Sequence, residues 1–318
     1  MILIDGVYLY NYGGLTILDR IIKELDSKKL QYKVLLDERH QPRKNIIILN
    51  KGILSRYFFY KKNKRQFTKI LCLGNVPPPV KCDANVYLFF HNVNLLMKKD
   101  VLTLIKWLII RFHILNADEI IVQTNLVKNI ILKKIDINFT IHVHPVFDTF
   151  LNRSKSNNEK GVKKLTFFYP ASFFKHKNHK LLFDFFKKSK GDYMLLLTIN
   201  NLSEYLLNEI ANNDNIYNLG LLPNNETIEI LNKVDALIFT STSESFGLPL
   251  IEAALLKKPV LSIDLPYVNE IISTPYRFKN SLVSLEECII KFIADLPNPK
   301  SATLLVNDQT EEIIKKLY

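Results

Sequence analysis

The sequence is short of cysteine, of secretion signals and of long apolar runs, and each shortage excludes a class of protein. Its three cysteines, at positions 72, 82 and 288, cannot all pair and lack metal-ligand spacing, so we expect buried free thiols in a reducing cytosol. The start of the chain shows no basic leader with a small-residue cleavage site, so we expect no secretory signal. The longest apolar run, residues 101–117, contains three basic side chains and is too short to cross a bilayer.

Internal repeats and low-complexity tracts are also missing, and both halves of the 318-residue chain alternate β-rich runs with helical stretches. This alternation is typical of parallel sheets flanked by helices, and the length suits two domains. A polar stretch without periodicity, residues 148–160, is the predicted linker. Parallel sheets bind ligands beyond the carboxyl ends of their strands, so the sequence predicts a site in a cleft between two α/β domains.

Acidic residues are absent over a long stretch of the first half. Residues 39–82 hold eleven basic side chains and no acidic one, and residues 56–65 place aromatic side chains beside cations. Such a surface attracts membrane phospholipid, nucleic acid or a phosphate-bearing substrate, although it is also compatible with a merely solvated basic face. The predicted helix at residues 101–115 is amphipathic enough to dock on a bilayer, or else is an ordinary buried helix.

The most informative segment is residues 236–254, where a buried strand runs into a hydroxyl-rich loop and then a helix. Gly247 provides a bend and Pro249 suits the first helical turn. Amide groups near Gly247, Leu248 and Leu250 would then be free to bind a phosphate. Glu244 and Glu252 lie on either side of this turn, and a carboxylate there can accept paired hydrogen bonds from vicinal sugar hydroxyls.

Glu244 and Glu252, with residues 246–249 between them, resemble the Glu-x7-Glu motif of retaining GT-B glycosyltransferases of family 4. The resemblance continues through residues 258–260 and 264–271 and covers the second half of the chain. It implies that Glu252 binds the nucleotide ribose and that Glu244 binds hydroxyls of the transferred sugar. It also implies that donor phosphate or sugar contacts three neighbouring residues: Phe246, Gly247 and Leu248.

Four further positions match the same family. Residues 167–179 are similar to its loop that holds the donor diphosphate, with Lys177 at the lysine position and Ser172 where the family has an arginine. Gly13 and Gly14 resemble its glycine turn facing the donor phosphates, although an ordinary strand–helix turn is the alternative. His91 follows a predicted strand, where the family often has a histidine that positions the transferred sugar, although a lone histidine is more often structural.

The resemblance implies a GT-B fold, an α/β architecture of two Rossmann-like parallel-sheet domains facing a central cleft. Residues 1–148 would bind the acceptor, residues 161–300 the nucleotide-sugar donor, and residues 301–318 would form a C-terminal helix packing back on the first domain. The implied activity is retaining hexosyl transfer from an NDP-sugar to a saccharide hydroxyl in surface polysaccharide or lipopolysaccharide biosynthesis. No Asp-x-Asp pair follows a strand, so we expect neither a metal nor another cofactor.

The basic first half favours a polyprenyl-diphosphate-linked acceptor, and a cytoplasmic enzyme in peripheral contact with the anionic inner face of the plasma membrane. We expect no nucleic-acid partner. Two alternatives remain open at this point. A nucleic-acid-binding module would use the basic stretch, and a GT-B hydrolase or epimerase would turn over a nucleotide sugar without an acceptor.

Overall fold

A computed structural model of the chain describes residues 1–9, 12–41, 45–50, 52–97, 101–135, 139–149, 151, 164–189 and 192–318. The chain divides into two compact units. The first comprises Met1–Asp148 and Asn307–Tyr318, and the second comprises Thr149–Val306. The predicted linker falls mostly outside the described residues.

The strands of the first unit are β1 (Ile2–Asp5), β2 (Tyr32–Asp37), β3 (Ile46–Leu49), β4 (Lys69–Cys72), β5 (Asn85–Phe89), β6 (Glu119–Val122) and β7 (Thr140–Val143). Those of the second unit are β8 (Leu165–Tyr169), β9 (Tyr193–Leu197), β10 (Ile216–Asn218), β11 (Ala236–Phe239), β12 (Val260–Ile263), β13 (Ile272–Ser273), β14 (Arg277–Phe278) and β15 (Thr303–Leu304). Most are short, buried and rich in Ile, Leu, Val and Phe, as expected for strands covered on both faces.

The helices of the first half are α1 (Tyr12–Ser27), α2 (Ile53–Asn63), α3 (Asn94–Met97), α4 (Val101–His113) and α5 (Asn125–Lys134). Those of the second half are α6 (His179–Lys188), α7 (Glu204–Ala211), α8 (Asn224–Lys233), α9 (Leu248–Leu255), α10 (Pro266–Ile271), α11 (Leu282–Ala294) and α12 (Thr310–Lys315). The described residues also contain two 3-10 turns, Ile114–Asn116 and Lys175–Lys177. The sequence patterns did not predict α2, α3, α10 or α11.

The first unit is a seven-stranded parallel sheet in the order β3-β2-β1-β4-β5-β6-β7. Its two faces carry separate cores, because alternate residues of each strand point to opposite sides. Helices α1 and α12 pack on one face, and α2, α4 and α5 pack on the other. The chain's last helix is thus part of the first unit.

The second unit is a six-stranded parallel sheet in the order β10-β9-β8-β11-β12-β14, with β13 and β15 forming a small antiparallel pair beside it. In both sheets the direction of strand addition reverses once, between β1 and β4 in the first and between β8 and β11 in the second. Ligands of open α/β sheets bind beyond the carboxyl ends of the strands at such a reversal. The two parallel sheets flanked by helices confirm the predicted α/β class.

Candidate functional site

The reversal in the second sheet brings two predicted site segments together. Strand β8 ends at Tyr169 and leads through a loop into the 3-10 turn Lys175–Lys177. Its neighbour β11 ends at Phe239 and leads into the hydroxyl-rich loop before α9. Since parallel neighbours end at the same edge of a sheet, Lys177 and Glu244 meet although 67 residues separate them in the chain.

Hydrogen bonds join these two loops. The hydroxyl of Thr240 donates to the carbonyl of Lys177 at 3.0 Å, and the amide of Thr242 donates to the carbonyl of His176 at 2.7 Å. The hydroxyl of Tyr169 donates to the same Lys177 carbonyl at 2.8 Å. The backbone on which the Lys177 side chain is mounted is therefore fixed from two neighbouring strands.

Lys177 and Glu244 form an ion pair. The Lys177 Nζ lies 2.5 Å from the Glu244 Oε1, and the two side chains are only 20% and 14% exposed. Charge-assisted hydrogen bonds of this kind are strong in partly buried surroundings. The structure thus places a cation and a carboxylate side by side at the carboxyl edge of the central strands, where an anion and a hydroxyl of one ligand could bind them separately.

The turn into α9 depends on Gly247. Its φ of 77° lies in the left-handed region, and a Cβ built there would come within 3.1 Å of the Leu250 Cδ1. Pro249 occupies the first turn of the helix, as predicted. The prediction that the Leu250 amide is free is wrong, because this amide donates to the Gly247 carbonyl at 3.0 Å and closes the turn. Phe246, predicted to contact the donor, is buried.

Glu252 lies in the second turn of α9 and is only 9% exposed. Within the described part of the chain, no hydrogen bond or ion pair reaches its carboxyl group. Burial alone therefore raises the pKa of Glu252 to about 7. A buried carboxyl without a protein partner is costly, and hydrogen-bond donors on a ligand would satisfy it.

Tyr267, on α10, supports the loop from behind. Its buried hydroxyl donates to the carbonyl of Ser241 at 2.5 Å. The family resemblance includes residues 264–271 but predicts no role for Tyr267, since a tyrosine on a short helix carries no spacing signal.

Ser172, at the arginine position of the family, is half-buried and its carbonyl accepts the Phe174 amide at 3.0 Å.

In the first unit, His91 follows β5 at the carboxyl edge of the sheet. Its Nδ1 is buried and has no hydrogen-bond partner among the described residues. Burial lowers the pKa of His91 to about 4, an effect that the Leu73 backbone partly opposes. The imidazole is therefore neutral near pH 7.

Asn75, which the sequence patterns missed, holds this part of the first unit. Its Oδ1 accepts the amides of His91 at 2.7 Å and Asn92 at 3.0 Å. Asn75 follows β4 and has a φ of 62°, a left-handed conformation that asparagine tolerates. The Gly74-Asn75 dipeptide had indicated only the end of a strand.

Gly13 and Gly14 lie in the first turn of α1, next to residues 10 and 11, which are outside the described residues. Gly13 is exposed and Gly14 is buried. A Cβ at Gly14 would come within 2.8 Å of the Leu9 Cδ2. Close packing on Leu9 is thus one reason for glycine at position 14.

The basic stretch of the first unit is less uniformly exposed than the sequence suggested. Arg56 is buried and pairs with Asp5, with its Nη2 2.8 Å from the Asp5 Oδ2. It also donates to the carbonyls of Val76 and Pro77, and the buried Tyr60 hydroxyl donates to Asp5 at 2.6 Å. Arg56 is therefore part of the interior and not of a basic surface, because the Asp5 carboxylate at the end of β1 compensates its charge.

Helix α4 has one buried side and one exposed apolar side. Ile110 and the following Ile114 are buried against the sheet, whereas the opposite side of the helix is apolar and exposed. The exposed members, spaced by three and four residues, are Val101 (72%), Leu104 (53%), Ile105 (49%), Leu108 (55%), Phe112 (81%) and, in the following 3-10 turn, Leu115 (63%). We call these six residues the α4 stripe. In the described residues no helix is long and apolar enough to cross a membrane.

Comparison with known protein families finds a match within the second unit. Residues 152–284 match the family model "Glycosyl transferases group 1". This part of the chain is therefore similar to the group 1 glycosyltransferases. It contains every predicted site residue of the second unit, from Ser172 to Glu252, and it confirms the prediction of a glycosyltransferase. No curated protein matches the sequence.

Solved structures match the whole chain at low sequence identity. HepE from Anabaena, in a crystal with UDP and glucose, is 13% identical with a TM-score of 0.74, covering 100% of this chain and 95% of its own. Sucrose-phosphate synthase from Thermosynechococcus elongatus gives 13% and 0.74, covering 100% and 94%. WaaG, a glycosyltransferase involved in lipopolysaccharide biosynthesis, gives 13% and 0.68, covering 92% and 90%. At these identities the likeness shows the fold, and it confirms the predicted GT-B fold.

The described residues contain no group of three or more His, Cys, Asp or Glu side chains that could hold a metal ion. Metal independence stays a prediction, as do the roles of the individual site residues.

Proposed function

We propose that this protein transfers a hexosyl unit from an NDP-sugar to a saccharide hydroxyl, with retention at the anomeric carbon and without a metal ion. The observation that carries the proposal is the arrangement of Lys177, Glu244 and Glu252 at the carboxyl edge of β8 and β11. One cation, one partly buried carboxylate and one buried carboxyl without a partner lie within the segment that matches the group 1 family.

In this proposal each donor group has a partner of matching chemistry. The ribose hydroxyls donate to Glu252, whose carboxyl group lacks a protein partner. The hexose hydroxyls donate to Glu244, and the diphosphate binds Lys177 together with the backbone at Gly247 and Leu248. Phe246 and Ser172 are proposed to contact the same donor. In the first unit, Gly13, Gly14 and His91 are the proposed contacts to phosphate and sugar.

The bond that breaks joins the anomeric carbon to the donor phosphate oxygen, and negative charge develops on the leaving diphosphate. Lys177 stabilises that charge, because a cation fixed beside the leaving oxygen interacts more strongly with the transition state than with the substrate. The acceptor oxygen attacks from the same face, and its proton passes to the leaving phosphate oxygen. His91 is neutral near pH 7 and positions the sugar by hydrogen bonding rather than acting as a cation.

The ion pair between Lys177 and Glu244 fits this scheme. Each group neutralises the charge of the other in the ion pair. A donor that carries both a diphosphate and a sugar replaces the pair with two new charge-assisted interactions, whereas a bare nucleoside diphosphate satisfies Lys177 and leaves Glu244 without its partner. The arrangement therefore favours the intact donor.

A lipid-linked saccharide is the acceptor that best fits the first unit. The α4 stripe is apolar and exposed, and the exposed cations Lys106 and Arg111 lie on the same helix. Helix α2, on the same side of the sheet, exposes Ile53, Leu54 and Phe58 next to Lys61 and Lys62. Apolar side chains interleaved with cations bind the interface of an anionic membrane. A cytoplasmic protein in peripheral contact with the membrane, acting in surface polysaccharide biosynthesis as WaaG does in lipopolysaccharide biosynthesis, agrees with these features.

A thermal-shift screen tests the donor proposal. The full chain is heated with UDP-, GDP-, dTDP- and CMP-hexoses, with and without EDTA, beginning with UDP-glucose because a similar fold binds UDP and glucose. A ligand at 100 times its Kd stabilises the protein by about 2.7 kcal/mol, which is readily measured.

The outcomes separate the parts of the proposal. No shift with any nucleotide sugar contradicts the donor site, and loss of the shift in EDTA contradicts metal independence. Release of free hexose without an acceptor supports a hydrolase instead of a transferase. The anomeric configuration of the product, read by NMR, decides whether the reaction retains.

A further inference from the structure

The first unit contains a groove that neither the donor proposal nor the fold requires. It has a volume of about 390 Å³ and lies among α3, α4 and the end of α5. Most of its lining is apolar and includes Met97, Leu104 and Trp107. Its volume is within the usual range of small-molecule sites.

The polarity of the groove selects its ligand. Two polar side chains line it, Thr103 and Lys134, and its described lining includes no acidic residue. A saccharide or a nucleotide would leave many hydroxyls without partners in such a site, which is unfavourable. A hydrocarbon chain needs no partners, and the indole of Trp107 and the flexible side chain of Met97 adapt to it.

Lys134 gives the groove a charged end. Its side chain is exposed, and no acidic residue in the described part of the chain forms an ion pair with it. The last turn of a helix favours a cation in any case, so Lys134 alone proves nothing about a ligand. Lys133, in the same turn, is also exposed but does not line the groove, and it provides a matched comparison.

The groove is continuous with the α4 stripe. Leu104 belongs to both, and Met97, which lines the groove, is itself 55% exposed. A hydrocarbon chain that leaves a bilayer touching the α4 stripe could therefore enter the groove without crossing water. This continuity distinguishes the groove from an isolated packing defect between helices.

We propose that this groove binds the hydrocarbon chain of a phosphate-linked lipid, with its phosphate beside Lys134, and so holds the acceptor on the first unit. The proposal rests on the proposed function for the statement that this lipid is the acceptor. The binding itself depends only on the groove, because the donor residues belong to the second unit.

The single tryptophan of the chain makes the proposal directly measurable, since Trp107 lines the groove. The full chain is titrated with farnesyl monophosphate below its micellar concentration, with farnesol and inorganic phosphate as separate probes, and no donor is added. We expect a saturable blue shift of Trp107 emission with farnesyl monophosphate, a weaker response with farnesol and none with inorganic phosphate.

Four variants separate the groove from the surface around it. Leu104→Asp places a carboxylate in the groove and should weaken farnesyl monophosphate binding by more than about tenfold. Leu108→Asp changes the α4 stripe without touching the groove and should leave that affinity unchanged. The unchanged protein should bind farnesyl monophosphate about threefold more tightly than farnesol. Lys134→Gln should remove this preference, whereas Lys133→Gln should keep it.

An unchanged Trp107 spectrum with farnesyl monophosphate overturns the proposal, and so does an equal loss in the Leu104 and Leu108 variants. Should Leu104→Asp fail to fold, Met97→Asp makes the same test from α3, because Met97 is largely exposed. Failure here with intact UDP-hexose binding contradicts the groove alone. A Trp107 response in a protein that binds no nucleotide sugar contradicts the donor site alone.

Discussion

The two units of this protein share an architecture but differ in where their functional information lies. In the second unit, the candidate residues occupy loops at the carboxyl edge of the sheet and fall within a recognisable family segment. In the first unit, the most unusual feature is a surface, the exposed α4 stripe, and residues 1–148 lie outside that segment. Charge follows the same division: residues 1–150 hold 23 basic and 12 acidic side chains, and the remainder holds 20 and 19.

This difference has a chemical reason. A nucleotide sugar requires particular groups at particular positions, so the proposed donor site is marked by a motif, Glu244 and Glu252 around Gly247. A membrane or a hydrocarbon chain requires only apolar area and positive charge, which many sequences provide equally well. Donor binding is therefore visible as a pattern of residues, whereas contact with a lipid is visible only as an exposed surface.

The largest expected difference between the two units concerns catalysis and follows from a change at Lys177. Replacement by alanine should lower kcat for hexosyl transfer about 10²- to 10³-fold, because the leaving diphosphate loses a fixed cation. Binding to anionic vesicles should stay unchanged, since the residue belongs to the second unit. Lys175→Ala, an exposed neighbour in the same turn, is the control. Equal activity losses in the two variants would contradict the special position of Lys177.

A second effect concerns Glu252 and pH. Its pKa rises from 4.5 in the unfolded chain to about 7 in the folded protein, so the folded state keeps a proton that the unfolded state loses. The contribution of this group to the free energy of unfolding therefore falls as the pH rises from 4.5 to 7. Above pH 7 the loss is complete and amounts to about 3 kcal/mol.

Glu252→Gln lacks this titration. The variant should melt above wild type at pH 8, whereas the two should be nearly equal at pH 4.5, as followed by calorimetry over that range. It should also bind the nucleotide sugar about tenfold more weakly, because the carboxylate acceptor for the ribose is lost. A melting difference that does not depend on pH would show that Glu252 is not the buried acid described here.

The smallest expected effect concerns membrane binding and compares a leucine of the first unit with one of the second. Leu108→Asp in the α4 stripe should weaken sedimentation with anionic vesicles about tenfold, because a leucine no longer enters the interface. Leu207→Asp on α7 of the second unit changes a leucine of similar exposure, 51% against 55%, and should have no such effect. Equal losses would mean that membrane contact is not specific to the first unit.

Much of the fold could be predicted from local patterns, and the failure at helix α2 has a physical cause. The strands are short buried runs bounded by turn residues, and nearly all of them were found. Helix α2 was missed because two of its inward residues are Arg56 and Tyr60, whose polar groups hide its buried face in the sequence. Helix α11 was missed although Leu285, Cys288, Ile289 and Phe292 have clear helical spacing.

The candidate site divides in the same way. The turn at Gly247, the following Pro249 and the two glutamates are close in the chain, so their arrangement is encoded locally. The partner role of Asn75 toward His91 was not predictable, because it depends on β4 and β5 lying side by side. The use of the Leu250 amide inside its own turn was also missed, since spacing alone does not show which amides remain free.

By itself, the sequence determined the alternation of strands and helices, the Glu244–Glu252 spacing and the charge imbalance between the halves, because all three depend on residues near one another or on composition. Only the tertiary structure decided that Lys177 meets Glu244, that Arg56 is buried against Asp5, and that one side of α4 is left exposed. These outcomes depend on which strands become neighbours and which faces they cover, and pairing between distant parallel strands is set by the packing of the whole sheet.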